Sequence, residues 1–380
     1  MKYYAVNDLA AGMTFDAPVY VDEDTLFVPE NVEIREQDLK RLRSWKVETV
    51  MSDGSPKNAD DRKNDFLHAV FTSKEYKKVL AFYGGLRDRM NKVHAQVQNH
   101  ERVEVSDIDE IVDGLIGELR ERRDELIQYI LYGLHGESGF EENALNAAVL
   151  SVLMGQSIGV AQHKIVELAT AALLHDIGML RLPESILKKE GKLTGSELQQ
   201  IKTHPVHSYK IITRELRYAD TVGQAALQHQ ERWDGDGYPK GLAGERIVLP
   251  ARIIAVADAF EAMVSKRPYR DSMIGYRAMR TILGDNGRRF DPDVLKNFIR
   301  TMGIYPLGSI VLLNNAAVGR VVTVNPQSPL RPSVKIMIDE TGAELPNDSG
   351  DIVDLSAEKR LFIAQAVDPK EIGKGKPPVE

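Results

Sequence analysis

The chain has 380 residues, 43% hydrophobic and 28% charged, with a formal net charge of −7 and no cysteine. This length allows two or three domains with substantial cores, and the acidic balance leaves no electrostatic footprint for long nucleic acid, although a small phosphate ligand needs only a local cluster of Arg and Lys. Without thiols there is no disulfide, iron–sulfur cluster or thiolate zinc site, so a metal would be held by His, carboxylate or amide oxygen, which favours Mn, Fe, Mg or Zn.

The segment after Met1 lacks an apolar signal core, and no apolar run approaches the ~18 residues that span a bilayer, so a cytoplasmic protein is expected. Residues 1–56 alternate short strand-like runs (Phe15–Tyr20, Leu26–Val28, Val47–Met51) around a helical pattern from Arg35 to Trp45, punctuated by Gly12, Pro18, Pro29 and Gly54. They predict a small α+β module, with Trp45 in its core. Ser55–Asp65 is polar, carries Pro56 and reads as a linker. The pattern from Asn64 to Leu134 is helical: within 107–119 the Ile, Val and Leu positions recur at three and four, behind an N-cap at Ser106 or Asp107. His68, His94 and His100 have no context that singles them out and are read as surface or packing residues.

Residues 141–283 predict further helices and hold the chemistry. The apolar run Val166–Leu174 ends in His175-Asp176-Ile177-Gly178. A run that is apolar nearly all round is a buried helix, and a histidine and a carboxylate at its end are costly unless a charge or a metal satisfies them. The plainer explanation is a core histidine bonded to its neighbour. His204 follows a capping box, Thr194 with Glu197, which starts a helix ending near Lys202-Thr203-His204-Pro205; His229 closes the run Ala225–Gln228; Asp258 interrupts the apolar run Ile253–Ala257. Helical domains build metal sites from side chains placed in this way. Between them, Glu231–Gly241 is a glycine-rich loop with Tyr238 and Pro239, on mechanism alone a turn. From Ile304 the period changes, and the β-branched runs 309–313, 319–324 and 333–338 predict a small β module. The Lys, Pro and Gly-rich end, 368–380, is expected to be disordered.

These motifs together, His175-Asp176-Ile177-Gly178, Lys202-Thr203-His204-Pro205, His229 to Pro239, Ala257 to Met263 and Arg267-Pro268-Tyr269-Arg270, resemble the HD-GYP family, a bacterial subgroup of the HD superfamily of metal-dependent phosphohydrolases. The resemblance covers roughly 135–305, and residues 1–56 are similar to an N-terminal module of some members. It implies a mainly α fold: an HD-type helical domain (135–305) flanked by the α+β module (1–56, a candidate regulatory module) and the β module (306–367), with a helical linker region at 57–134. The implied activity is hydrolysis of cyclic di-GMP to pGpG or GMP, with some members acting on cyclic GMP-AMP. By resemblance two divalent ions, Fe, Mn or another transition metal, would be bridged by Asp176, with His175 and Asp258 on the first and His204 and His229 on the second. No organic cofactor is expected. Arg267 aligns with a substrate-phosphate contact. Tyr238 is a candidate substrate contact whose plainer role is to shape its loop, which in turn is a candidate surface for signalling proteins. A homodimer is a candidate assembly.

The chain departs from the family pattern at four positions. Asn143 takes the place of the first histidine ligand, Gly139 that of a glutamate found in three-metal members, Gln230 that of the second histidine of a His-His-Glu motif, and Met179 that of a lysine that neutralises substrate phosphate. An amide oxygen ligates transition ions more weakly than imidazole, so Asn143 and Gln230 are candidate but poor ligands, a third metal is not expected, and each remaining site loses one good donor. His207 is separated from His204 by Pro205, and neither His135 nor His163, which reads as part of a polar loop before the His-Asp helix, is expected to compensate. Two readings stay open: a metal-dependent phosphodiesterase, favoured by the retained His175, Asp176, His204, His229 and Asp258, and a weakened or inactive member that acts as a cyclic dinucleotide receptor or protein-interaction module, favoured by Asn143, Gln230 and Met179.

Overall fold

The computed structural model describes residues 2–57, 73–132, 139–265, 273–345 and 349–368, apart from positions 16, 23–24, 30–31, 33, 46 and 190. The linker beyond Lys57, His68, His135, Arg267 and the tail beyond Asp368 lie outside these residues. The contacts divide the chain into two units, residues 1–71 with 367–380, and residues 72–366.

In the first unit, strands β1 (Lys2–Ala5), β5 (Thr49–Ser52), β3 (Val19–Tyr20) and β4 (Leu26–Val28) form an antiparallel sheet in that order, and β2 (Thr14–Phe15) pairs with β6 (Pro56–Lys57). Helix α1 (Glu36–Ser44) buries Leu39 and Leu42 in a core with Phe15, Val19, Ile34 and Val50. Trp45 does not join it. The indole is 56% exposed, with the Arg41 guanidinium 5.7 Å from the ring centroid. The residue ends α1, where its polar N–H edge and a flanking cation make partial exposure inexpensive.

The second unit is mainly helical: α2 (Lys74–Gln98), α3 (Val105–Glu121), α4 (Arg123–Tyr132), α5 (Phe140–Ile158), α6 (Gln162–Leu174), α7 (Glu184–Leu187), α8 (Gly195–Ile201), α9 (His204–Lys210), α10 (Asp220–Gln228), α11 (Leu249–Val264), α12 (Gly275–Gly284) and α13 (Pro292–Met302). Helix α3 starts earlier than its sequence pattern predicts, behind Glu104 and without a side-chain cap, because the apolar face of Ile108, Ile111, Val112 and Leu115 sets its extent by packing. The Thr194–Glu197 capping box is present at α8. Helix α5 is the centre of the bundle. Every residue from Ala144 to Gly155 is buried, and α6, α11 and α13 pack around it. Such a helix is apolar on all sides because it has no solvent face.

Two predicted breaks are absent. Pro205 stands at the start of α9, where its missing N–H costs nothing, so His204 and His207 share one helix. His163 lies in the first turn of α6 rather than in a loop. After α13 a five-stranded sheet follows in the order β10-β9-β8-β7-β11, from β7 (Ile310–Leu313), β8 (Val318–Thr323), β9 (Ser333–Ile338), β10 (Ile352–Asp354) and β11 (Ile363–Val367). Val311, Leu313, Val321, Val334 and Leu355 form its core.

Candidate metal centre

The site is assembled from helix ends. His175 follows α6, His229 follows α10, and His204 opens α9 three residues after α8 closes at Ile201; Asp258 projects from within α11. The last carbonyls of a helix have no intrahelical N–H to accept. Each histidine uses one of these free carbonyls: Nδ1 bonds to the oxygen three residues back, on Ala172 at 2.7 Å for His175, Ile201 at 2.8 Å for His204 and Ala226 at 2.7 Å for His229. With Nδ1 as donor, a neutral ring presents Nε2 as a lone pair.

All three Nε2 atoms turn toward carboxylates. His204 and His229 stand 3.0 and 3.3 Å from Asp176 Oδ1, and 3.3 Å from each other. His175 stands 3.6 Å from Asp176 Oδ2 and 3.7 Å from Asp258 Oδ1, too far for hydrogen bonds but close enough for strong charge coupling. The rings are 2–3% exposed, whereas the Asp176 and Asp258 side chains are 33% and 20% exposed, so the cluster is walled by imidazole and opens on its carboxylate side.

Protonation follows from this arrangement. Burial opposes charge on His175, but Asp176 and then Asp258 override it and raise its pKa to about 9. Burial likewise works against the Asp176 carboxylate, and the fields of His175 and His204 outweigh it and hold that carboxyl well below its usual range. Asp258 is lowered in the same way, chiefly by His175. His229 is lowered, first by its burial. Lone pairs facing carboxylate oxygens repel unless a proton or a metal cation lies between them. His175 Nε2 and Asp176 Oδ1 are buried without a hydrogen-bond partner, and His175, Asp176 and His229 offer ligand atoms all within 4.8 Å of one another. Nitrogen and carboxylate donors at this spacing fit a divalent transition ion.

The remaining predicted residues are Asn143, Gln230, Tyr238, Arg267 and Met179. Asn143 lies in the first turn of α5 with its Oδ1 buried and without a hydrogen-bond partner; Gln230 takes part through its carbonyl, which accepts the Tyr238 N–H at 3.2 Å. Among the described residues no hydrogen bond or ion pair joins either side chain to the five clustered ligands. Tyr238 meets His204 edge to face with centroids 6.3 Å apart, and burial, then the charges of Asp176 and Asp258, push its hydroxyl up. Arg267 is outside the described residues. Met179 lies in the 3-10 turn Ile177–Arg181 that follows Asp176.

Two residues take supporting roles, Glu231 at the start of the glycine-rich loop and Ser208, which carries no sequence signal. Glu231, 3% exposed, accepts the Lys240 N–H at 2.7 Å and the Leu242 N–H at 2.9 Å, and so closes the loop that carries Tyr238. The loop also requires Gly237, because a Cβ there would lie 2.5 Å from Glu231 Cα. Ser208 Oγ accepts the Gly178 N–H at 2.9 Å, tying the turn after Asp176 to α9. Thirty residues separate that pair, so only the folded chain shows it.

A buried helical cluster of histidines and aspartates with a His-Asp pair at a helix end defines a class, and the comparisons agree with it. Residues 134–294 match the HD domain family, and residues 310–375 match a KOW domain associated with HD domains. The chain carries an HD domain. It is 27% identical to the cyclic di-GMP phosphodiesterase PdeB of Borreliella burgdorferi over 84% of this chain and 83% of that protein. It is 36% identical to the cyclic di-GMP phosphodiesterase PA4108 of Pseudomonas aeruginosa over 51% of this chain and 47% of the relative, and 30% identical to the 3'3'-cGAMP-specific phosphodiesterase 2 of Vibrio cholerae over 48% and 35%. The chain thus spans about half or less of two of these relatives. No described helix is long and apolar enough to cross a membrane.

Proposed function

We propose that this chain is a metal-dependent phosphodiesterase that hydrolyses cyclic di-GMP to pGpG or GMP. The observation that carries the reading is the convergence of three Nε2 atoms, each fixed by an Nδ1 bond to a helix-end carbonyl, on the Asp176 and Asp258 carboxylates. His175 and Asp258 would hold one divalent ion, His204 and His229 a second, with Asp176 shared and Asn143 and Gln230 as weak additional donors; iron and manganese suit this donor set. Bound there, such ions polarise a phosphodiester and lower the pKa of the attacking water. The chain's own contribution is orientation: the carbonyl bonds keep the imidazoles aimed before any ligand arrives, and burial of the rings keeps bulk water from one side. The open carboxylate side admits substrate, Tyr238 walls its approach, and Arg267 is assigned to a substrate phosphate. The relatives' names favour cyclic di-GMP, with cyclic GMP-AMP the next candidate. We assign this activity to residues 135–305 and a regulatory role to 1–56.

A second reading, a receptor that binds the dinucleotide without turnover, is favoured by Asn143, Gln230 and Met179. Protein purified without oxygen and supplied with Mn(II) or Fe(II) is incubated with cyclic di-GMP beside an Asp176→Ala variant. Linear product from the parent alone supports the enzyme; tight binding with no product from either protein overturns it in favour of the receptor.

A further inference from the structure

Beside the ligand cluster one cation has a position that its helix does not account for. Lys202 follows α8, two residues before His204, and is half-buried. Its Nζ lies 5.4 Å from the centroid of the Tyr238 ring, the same ring that meets His204 edge to face. Among the described residues Lys202 enters no ion pair. A lysine at a helix C-terminus is ordinarily explained by the helix dipole, and that explains its residue type. It does not explain why the ammonium rests on a ring at the mouth of a site lined by Asp176 and Asp258.

A phosphodiester anion approaching those carboxylates is repelled, and a positive group beside the entrance offsets that repulsion. Met179, in the turn after Asp176, has a thioether and cannot do so. A lysine on a flexible four-carbon stem can leave an aromatic face for a phosphate oxygen, because a charge-assisted hydrogen bond is stronger than the cation–π contact it replaces. Building on the phosphohydrolase reading above, we infer that Lys202 is the phosphate-binding cation of this site, moving from the Tyr238 ring to a non-bridging oxygen of the substrate. It fills the role left vacant at position 179. Tyr238 is then the resting seat of that cation, which gives the aromatic side chain a use beyond the shape of its loop.

The test compares the parent with Lys202→Met, Lys202→Gln and Lys202→Arg and with Lys202→Met carrying Met179→Lys, each checked first for metal content and melting temperature. Two probes are used, cyclic di-GMP and bis(p-nitrophenyl) phosphate, with KM from turnover and Kd from calorimetry. Lys202→Met and Lys202→Gln are expected to raise KM and Kd on the order of 10- to 100-fold at unchanged metal content. Lys202→Arg should stay within a few-fold of the parent, and Met179→Lys should restore much of the loss. A purely structural lysine would move the melting temperature and leave KM and Kd alone. Neutral variants that match the parent on a probe the parent binds overturn the assignment. A parent that takes the aryl diester but ignores cyclic di-GMP sinks the cyclic dinucleotide reading alone, and Lys202 is then judged on the aryl diester. A parent that binds neither overturns both.

Discussion

Replacing Gly178 by alanine tests how tightly the ligand helices are locked together. Gly178 lies two residues after Asp176, and its N–H donates to Ser208 Oγ on α9, the helix that His204 opens. A Cβ at this position would run into the His204 carbonyl oxygen, and would lie 2.5 Å from the Ser208 nitrogen and 2.8 Å from its Oγ. Two of these three atoms are backbone, so no rotamer change relieves the contact. The turn and α9 must separate by on the order of 1 Å, at an overpacking cost of about 1–3 kcal/mol plus roughly 1 kcal/mol for the weakened hydrogen bond. At about 2–4 °C per kcal/mol for a domain of this size class, the melting temperature should fall by roughly 5–15 °C. The same separation pulls His204 away from Asp176, so retained metal should fall together with stability. Scanning calorimetry and metal analysis on one preparation read both effects. Ser208→Ala in the same chain removes only the Oγ contact and should not rescue. A Gly178→Ala protein that melts and binds metal like the parent would refute the reasoning, and rescue by Ser208→Ala would show that the clash is not with backbone.

Three further outcomes are expected. Asn143→His should raise divalent metal affinity about 10- to 100-fold in chelator competition; an unchanged affinity would mean that this α5 position does not face the site. In metal-free protein the His175 pKa of about 9 lies above its unfolded value of about 6.5, so its stabilising charge pairing is complete below that value and is lost as pH rises through 9. The metal-free melting temperature should therefore fall between pH 6.5 and 9, more steeply than in a His175→Gln variant, and metal uptake at pH 7 should release protons in calorimetry run in buffers of different ionisation enthalpy; equal slopes would exclude His175 as the source. Glu231→Gln, which weakens the bonds to the Lys240 and Leu242 N–H groups, should speed hydrogen exchange at those two amides, since a charge-assisted bond contributes about 1.5–3 kcal/mol. Exchange at parent rates would remove Glu231 from its role in holding the loop.

Much of the site was legible because costly groups stood in apolar surroundings. His175, His229 and Asp258 interrupt or end runs that can only be buried helices, and the Thr194–Glu197 box located the start of α8 before His204. Local pattern failed where solvent contact decides the outcome. Trp45 is amphipathic, and its exposure depends on what lies beyond the end of α1. Strands β1, β10 and β11 are short, and their existence depends on partners distant in sequence. His94, read as a packing or surface residue, is half-buried on α2, and its burial lowers its pKa to about 4, which keeps it neutral.

The least legible layer is the polar staple inside the bundle. Tyr83 on α2 donates to Asn146 Oδ1 at 3.0 Å, Asn146 Nδ2 approaches Glu261 Oε1 at 3.4 Å, and Ser265 donates to the same oxygen. Asn146 and Glu261 have no exposed surface, so their bond fixes how α5 meets α11, and a slip of either helix would leave a carboxylate or an amide stranded in the core. Asn143 precedes Asn146 by three residues, and Asp258 precedes Glu261 by three. Residues three apart share a helix face, so the faces joined at Asn146 and Glu261 also carry Asn143 and Asp258. On this argument Asn143 is expected on the Asp258 and His175 side of the cluster, and its Oδ1 is buried without a hydrogen-bond partner. On the metal-site proposal, asparagine at 143 would be a weaker donor than histidine from the same helix position. That is why Asn143→His should strengthen this half of the site without changing the other.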